Sequence, residues 1–155
     1  IFQIKLKKFF PTSQINTFFN DYFPTLTYKT DGLVFTPVDD PIRIGTHETM
    51  FKWKPKELNT IDFQVKRRGP TNWGLYIQDR GVLIFESSLE GTENNWLKED
   101  NILECQYMIQ DTPTWWKPVG IRTDKHHPNN RRTYYSTLVN VREDIQIEEF
   151  NKMFI

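Results

Sequence analysis

Residues 73–78, 82–86, 101–109 and 132–141 of this chain are short runs rich in β-branched and aromatic residues, separated by turn-forming segments. About five short strands joined by polar loops close most readily into a small barrel. That texture begins after Lys66-Arg67-Arg68-Gly69-Pro70. Before it, residues 2–10 alternate Phe, Ile, Leu and Phe against Gln and Lys, which predicts a half-buried strand. Thr12-Ser13 predict the cap of a short helix through Phe18 and Phe19 that ends by Pro24. At two to three turns such a helix depends on packing. Further strands are predicted at 31–36, 50–54 and 60–66, with a polar loop from Pro37 to Gly45 and a turn at Pro55–Asn59. Ile147, Phe150 and Phe154 recur at i, i+3 and i+7, predicting an amphipathic closing helix over 144–154.

Composition narrows the class. The 155 residues are 37% hydrophobic and 15% aromatic, enough for a packed core and against disorder. Twenty basic and twenty acidic side chains cancel, which argues against holding nucleic acid by a broad positive field, while leaving room for a local basic site. Cys105, the single cysteine, cannot close an internal disulfide and reads as a small core residue in a reducing compartment. No apolar run approaches the ~20 residues that span a bilayer. No membrane association is expected, and the location expected is intracellular.

Lys52-Trp53-Lys54-Pro55 carries the first chemical signal. On a strand, Lys52 and Lys54 project from one face while Trp53 faces the other way. Two ammonium groups aimed together suit a phosphate, although an isolated Lys-x-Lys is usually a solvated edge strand. Trp115 and Trp116 could stack a base or anchor a barrel, and anchoring is the commoner use. Arg67, Arg68, Arg131 and Arg132 could line a nucleic-acid path or form a solvated rim. His126 and His127 are adjacent, point apart on an extended chain, and make a poor metal pair.

The order of these segments resembles the mRNA capping guanylyltransferases, members of the covalent nucleotidyltransferase superfamily. Asp31-Gly32-Leu33-Val34-Phe35 is similar to their fourth motif, and Lys52-Trp53-Lys54-Pro55 with Asn59-Thr60-Ile61-Asp62-Phe63 to the fifth. Trp116, Arg122-Thr123-Asp124-Lys125 and Pro128-Asn129 are similar to the sixth, and Ile4 to Phe10 to the weaker segment upstream. The resemblance implies an α+β fold, mainly antiparallel β: the C-terminal part of a nucleotidyltransferase domain (1–66), a hinge near 66–70, and an OB-fold β-barrel with a closing helix (67–155). It implies transfer of GMP from GTP, through a lysyl-GMP intermediate, to the 5′ diphosphate end of RNA. Lys52 and Lys54 would sit on the α-phosphate, and Asp31 would help hold Mg²⁺ or Mn²⁺, a hard cation suited to oxygen ligands. Arg122 and Lys125 would reach the β- and γ-phosphates, with Asp124 holding them in place. Asp62 could orient Lys54 or touch the metal through water, and a buried Asp paired with a nearby lysine would read the same in sequence.

The family's nucleophile lies in a Lys-x-Asp-Gly motif a hundred or more residues before Lys-x-Lys. Lys29-Thr30-Asp31-Gly32 fits that pattern, but only 22 residues separate Lys29 from Lys52, too few for the guanine pocket. The expectation is therefore a fragment that lacks its nucleophile and is inactive alone. Gly120 stands where many members have a second arginine, a pattern closer to large DNA viruses. Viral members work in the infected cytoplasm or virion and are often fused to a triphosphatase and a methyltransferase; cellular ones work in the nucleus. Two other readings compete. An OB-type nucleic-acid-binding module would show salt-dependent RNA affinity indifferent to GTP. A polynucleotide ligase relative would prefer ATP.

Overall fold

The computed structural model describes residues 3–91 and 96–153. Phe2, within the first predicted strand, and Phe154, within the closing helix, lie outside them. The chain forms two compact units, Ile1–Lys52 with Ile145–Ile155, and Trp53–Asp144.

In the first unit, residues 3–10 carry no regular secondary structure. The strand predicted from their alternation does not form. An alternating run becomes a strand only when a neighbour accepts its backbone bonds and covers one face, and Ile4 and Leu6 are instead fully exposed. The helical segment does form, through a 3₁₀ turn (Thr12–Gln14), α1 (Ile15–Thr17), a π turn (Phe18–Tyr22) and a second 3₁₀ turn (Phe23–Thr25). It carries no side-chain cap, contrary to the Thr12-Ser13 expectation. Aromatic contacts hold it: the Phe10 ring lies 5.3 Å from Phe18 and 4.9 Å from Tyr22. β1 (Leu33–Phe35) and β2 (Phe51–Trp53) pair as a two-stranded sheet.

The second unit is built on a five-stranded antiparallel sheet. Its strands are β3 (Thr60–Arg67), β4 (Asn72–Asp79), β5 (Val82–Glu90), β6 (Ile102–Met108) and β7 (Trp115–Ile121), in the order β5-β4-β3-β6-β7. The architecture is α+β and mainly antiparallel, as the sequence implied. β3, which the sequence reading placed before a boundary at 66–70, is the central strand of this sheet. β4 and β5 join through Arg80 and Gly81, both at positive φ (50° and 82°), the two-residue hairpin turn that matches strand twist and for which Gly81 is suited. β5 and β7 stand at the two ends of the strand order, so no barrel-closing pair occurs among the described strands.

Two elements depart from expectation. Residues 132–141 are not a strand but the middle of α2 (Arg131–Glu143). The β-branched and aromatic residues there suggested a strand, yet Tyr134, Leu138 and Val141 fall on one helical face. Asn130 caps the helix, its side-chain oxygen accepting from Thr133 N–H at 2.8 Å. β7 was not foreseen because Pro118 and Gly120 interrupt it. As a sheet edge it tolerates proline, whose missing N–H needs no partner. The closing helix forms as α3 (Ile147–Met153).

One face of the sheet is the core. Ile61, Phe63 and Val65 of β3 alternate inward with Trp73, Leu75 and Ile77 of β4, and with Leu103 and Cys105 of β6. Trp116 is buried against Phe63 (4.8 Å between centroids) and Tyr107 (4.7 Å), the anchoring role favoured from sequence. Trp115 is half exposed and donates from Nε1 to Asp111. Cys105 is fully buried, and burial raises its thiol far above the ordinary range, with the Asp62 and Glu104 charges adding to it. The thiolate is the reactive form. Native protein should therefore leave Cys105 unlabelled by iodoacetamide at pH 8 over hours, with complete labelling in denaturant; mass spectrometry reads the difference.

Candidate functional site

Asp62 is the one buried charged residue among those described, 4% exposed on β3. It alternates with the core residues Ile61 and Phe63, so its side chain stands on the opposite face of the sheet. The segment 122–129 lies against it. Asn129 Oδ1 accepts from Asp62 N–H at 2.8 Å, and Asn129 N–H donates to the Asp62 carbonyl at 2.7 Å. On the other side, Gln78 of β4 donates its N–H to the Asn129 carbonyl at 3.0 Å and its Nε2 to the Pro128 carbonyl at 3.2 Å. Pro128-Asn129 is thereby held to two strands at once, which fixes the segment before it.

That segment brings two cations to one carboxylate. Lys125 Nζ donates to Asp62 Oδ2, and Arg122 Nη1 lies 3.3 and 3.4 Å from the two Asp62 oxygens. The rest of the Arg122 fork grips Asp124 in a bidentate pair, Nε to Oδ1 at 2.9 Å and Nη2 to Oδ2 at 2.7 Å. The Arg122 N–H is anchored to the Ile102 carbonyl at 2.8 Å. Asp62 is 5% exposed by side chain, whereas Arg122 and Lys125 are 28% and 36% exposed. The carboxylate is the buried root of the cluster, and the cations are its accessible rim. A planar guanidinium and an ammonium held this way suit an anion with several oxygens.

Arg122, hydrogen-bonded to Asp124, holds that carboxyl down to about 2, and Asp124 raises the guanidinium in return. An unfolded aspartate titrates near ~3.9. A lowered folded-state value means the pair's contribution is complete above that pH and is lost as the pH falls through about 2. Carboxyl NMR of the folded protein should find Asp124 still ionised at pH 3, and Arg122→Ala should return it to the ordinary range.

The fourth- and fifth-motif residues of the first unit form a separate pair. Lys52 Nζ donates to Asp31 Oδ2 at 2.8 Å, with side chains 47% and 64% exposed. β1–β2 pairing brings these two residues of distant sequence together. For a divalent ion Asp31 offers one carboxylate already engaged by an ammonium. No group of three or more His, Cys, Asp or Glu that could hold a metal occurs among the described residues. These residues fit a hard cation only as one that arrives with phosphate oxygens and water filling most of its shell. Lys54 contributes its carbonyl to the adjacent turn, where Asn59 Nδ2 donates to the Lys54 and Pro55 carbonyls at 3.3 and 3.2 Å. Lys29 is exposed in a stretch without regular structure, and His126 and His127 are exposed loop residues.

The structure thus gathers Asp62, Arg122, Asp124 and Lys125 in one place and Asp31 with Lys52 in another. Asp62, left open from sequence between orienting Lys54, reaching a metal through water and pairing as a buried carboxylate with a nearby lysine, contacts Lys125 and Arg122. Sequence reasoning missed Gln78 and the stitching role of Asn129. A glutamine in a strand carries no signal of its own, while Asn129 was named only as part of a motif.

Residues 1–56 match the family model for the mRNA capping enzyme catalytic domain, and residues 58–151 match that for the mRNA capping enzyme C-terminal domain. The chain is similar to the mRNA-capping enzyme subunit alpha of Schizosaccharomyces pombe, 30% identical over 97% of this chain and 42% of that protein. It is also similar to the mRNA-capping enzymes of Caenorhabditis elegans (28% identical, 97% of this chain, 26% of that protein) and Mus musculus (27%, 85% and 22%). The chain spans less than half the length of these relatives. Two consecutive domains of one kind of enzyme account for nearly all of it. The chain belongs to the mRNA capping enzyme family.

Proposed function

We propose that this chain supplies the phosphate-gripping part of an mRNA guanylyltransferase. The observation that carries the reading is the Asp62-rooted cluster: Arg122 and Lys125 are held on one buried carboxylate with their outer faces accessible. In the reaction, a lysine amine attacks the α-phosphorus of GTP, a P–N bond forms, and pyrophosphate leaves. A terminal oxygen of diphosphate-ended RNA then attacks the same phosphorus and the lysine departs with its electron pair. Both steps concentrate negative charge, so fixed cations lower both barriers. Arg122 and Lys125 grip the β- and γ-phosphates of GTP, Asp124 keeps the guanidinium fork in plane, and Lys52 and Lys54 face the α-phosphate. A Mg²⁺ or Mn²⁺ ion near Asp31 would supply further charge neutralisation. Lys29 is not the nucleophile in this reading, and the 155 residues alone do not carry out the reaction. For a cellular protein the place of action is the nucleus.

The test is covalent labelling by α-³²P-GTP with Mg²⁺ or Mn²⁺, using the protein expressed from its full open reading frame, followed by a denaturing gel. Label that survives denaturation, is unaffected by Lys29→Ala, and falls about 10²–10³-fold in rate on Arg122→Ala or Lys52→Ala supports the reading. No label on a folded protein removes it, and label with ATP but not GTP assigns the chain to the ligase branch.

A further inference from the structure

The face of the sheet that carries Asp62 continues sideways into an aromatic patch. Gln64 lies two residues along β3 from Asp62 and shares its face. Tyr76 of β4 is opposite Gln64, and Phe85 of β5 is opposite Tyr76, so all four side chains lie on one surface. Strand spacing and rise put Tyr76 about 8 Å from Asp62 along that surface and Phe85 about 12 Å. The two rings meet edge to face, with centroids 5.6 Å apart. Arg68 lays its guanidinium over the Phe85 ring at 4.4 Å.

The patch is built around a glycine. A Cβ on Gly74 would come within 2.6 Å of Tyr76 Cε2 and 2.9 Å of Arg68 Cδ. The tyrosine ring and the arginine stem therefore rest on bare backbone, while Ser88 opposite Gly74 is also small. Phe85 remains 43% exposed. On β3 the patch is bordered by polar groups: Gln64, opposite Tyr76, donates to Asp100 at 2.6 Å, and Lys66, opposite Gly74, pairs with the same carboxylate at 3.0 Å. A large aromatic ring left open among polar groups, with an arginine stacked on it, is poorly explained by core packing. It has the elements of a base-stacking surface, where aromatic and guanidinium planes accept unpaired bases of any sequence.

Resting on the guanylyltransferase reading, we propose that Tyr76, Phe85 and Arg68 form a stacking platform for the first unpaired nucleotides of the RNA acceptor. The RNA enters with its terminal phosphates toward Arg122 and Lys125 and its bases across the aromatic patch. One to two nucleotides of extended single strand span the interval between cluster and patch. The platform selects a single-stranded 5′ end, because a base already paired in a duplex cannot turn its face to Tyr76 or Phe85. Because the chain has no net charge, stacking compensates for the weak long-range field.

Fluorescence anisotropy of the full chain with a 5′-diphosphate decamer of unstructured RNA, at fixed salt, tests the idea. Phe85→Ala and Tyr76→Ala should each weaken binding about tenfold, and Phe85→Tyr should restore it. Gly74→Ala, which pushes Tyr76 and Arg68 off their seat without removing them, should also weaken it. A hairpin with a paired 5′ end should bind weakly to the unaltered chain and lose nothing further in these variants. The slope of log affinity against log salt should stay constant in the aromatic variants and fall by about one in Lys125→Ala. Unchanged decamer affinity in Phe85→Ala and Tyr76→Ala with native circular dichroism, or equal losses for decamer and hairpin, overturns the platform. Failure of GTP labelling overturns the guanylyltransferase reading separately, since that assay contains no RNA.

Discussion

Truncating Asp62 to alanine is expected to destabilise the chain by about 2 kcal/mol, and Asp62→Asn by about half as much. Removing one partner of a buried ion pair costs roughly 3–5 kcal/mol when the orphaned charge stays buried. Here the orphans are Arg122 and Lys125, whose exposure lets water recover part of the loss. The Asp62→Asn variant would keep the shape and one acceptor oxygen but not the charge. Urea unfolding of the variants gives the numbers. A double-mutant cycle with Lys125→Ala should return a coupling of about 1 kcal/mol, within the usual range for residues in one network. Additive losses would show that Asp62 and Lys125 act independently and that the cluster has no shared root. Asn129 should not compensate, since it bonds the Asp62 backbone rather than its carboxylate.

Phe63→Ala should cost about 4 kcal/mol, the upper part of the range for a buried aromatic. Phe63 has no exposed surface and stands between Trp116 of β7, 4.8 Å away edge to face, and Tyr134 of α2, 6.1 Å away. Its loss opens a cavity at the point where the central strand, the edge strand and the helix meet. With domain stabilities of about 5–15 kcal/mol, that is a large fraction of the total. Phe63→Leu keeps most of the volume and should cost about 1.5 kcal/mol. Thermal unfolding followed by near-ultraviolet circular dichroism would report both the loss and the loosening of Trp116. A cost below about 1 kcal/mol for Phe63→Ala would contradict the packing described.

Phe63 follows Asp62 in sequence, so one strand carries the core's central ring on one face and the cluster's root on the other. A core variant at 63 is therefore expected to disturb the cluster, while a surface variant at 66 is not. Burial also raises the Tyr134 hydroxyl well above its ordinary range, with Glu86 adding to it, so the helix meets the sheet through a neutral phenol.

The motifs were legible because each needs a fixed set of residue types at a fixed local spacing. Lys52 and Lys54, Asn59 to Phe63, and Arg122 to Pro128-Asn129 can be read along the chain without knowing where they go. The strands β3 to β6 were legible for the same reason, since period-two alternation and turn residues are local signals. Burial of Cys105 followed from residue type, whereas which of Trp115 and Trp116 is buried depended on the face each takes on β7.

Where local preference and tertiary demand disagreed, tertiary demand prevailed. Arg131–Glu143 has β-branched and aromatic content suited to a strand, but as a capped helix it packs Tyr134 and Leu138 on the sheet's core. The alternation at 3–10 has the strand period and stays without a strand, because period alone supplies no hydrogen-bond partner. The sequence by itself determined the antiparallel α+β class, the family's motifs and the residue types available for phosphate. Only the tertiary structure decided that Asp62 answers to Lys125 and Arg122, that Asp31 answers to Lys52, and that Tyr76 and Phe85 share a surface with the cluster. Pairings between residues some twenty to sixty positions apart depend on sheet register and on which loop crosses which strand, and no local spacing encodes either.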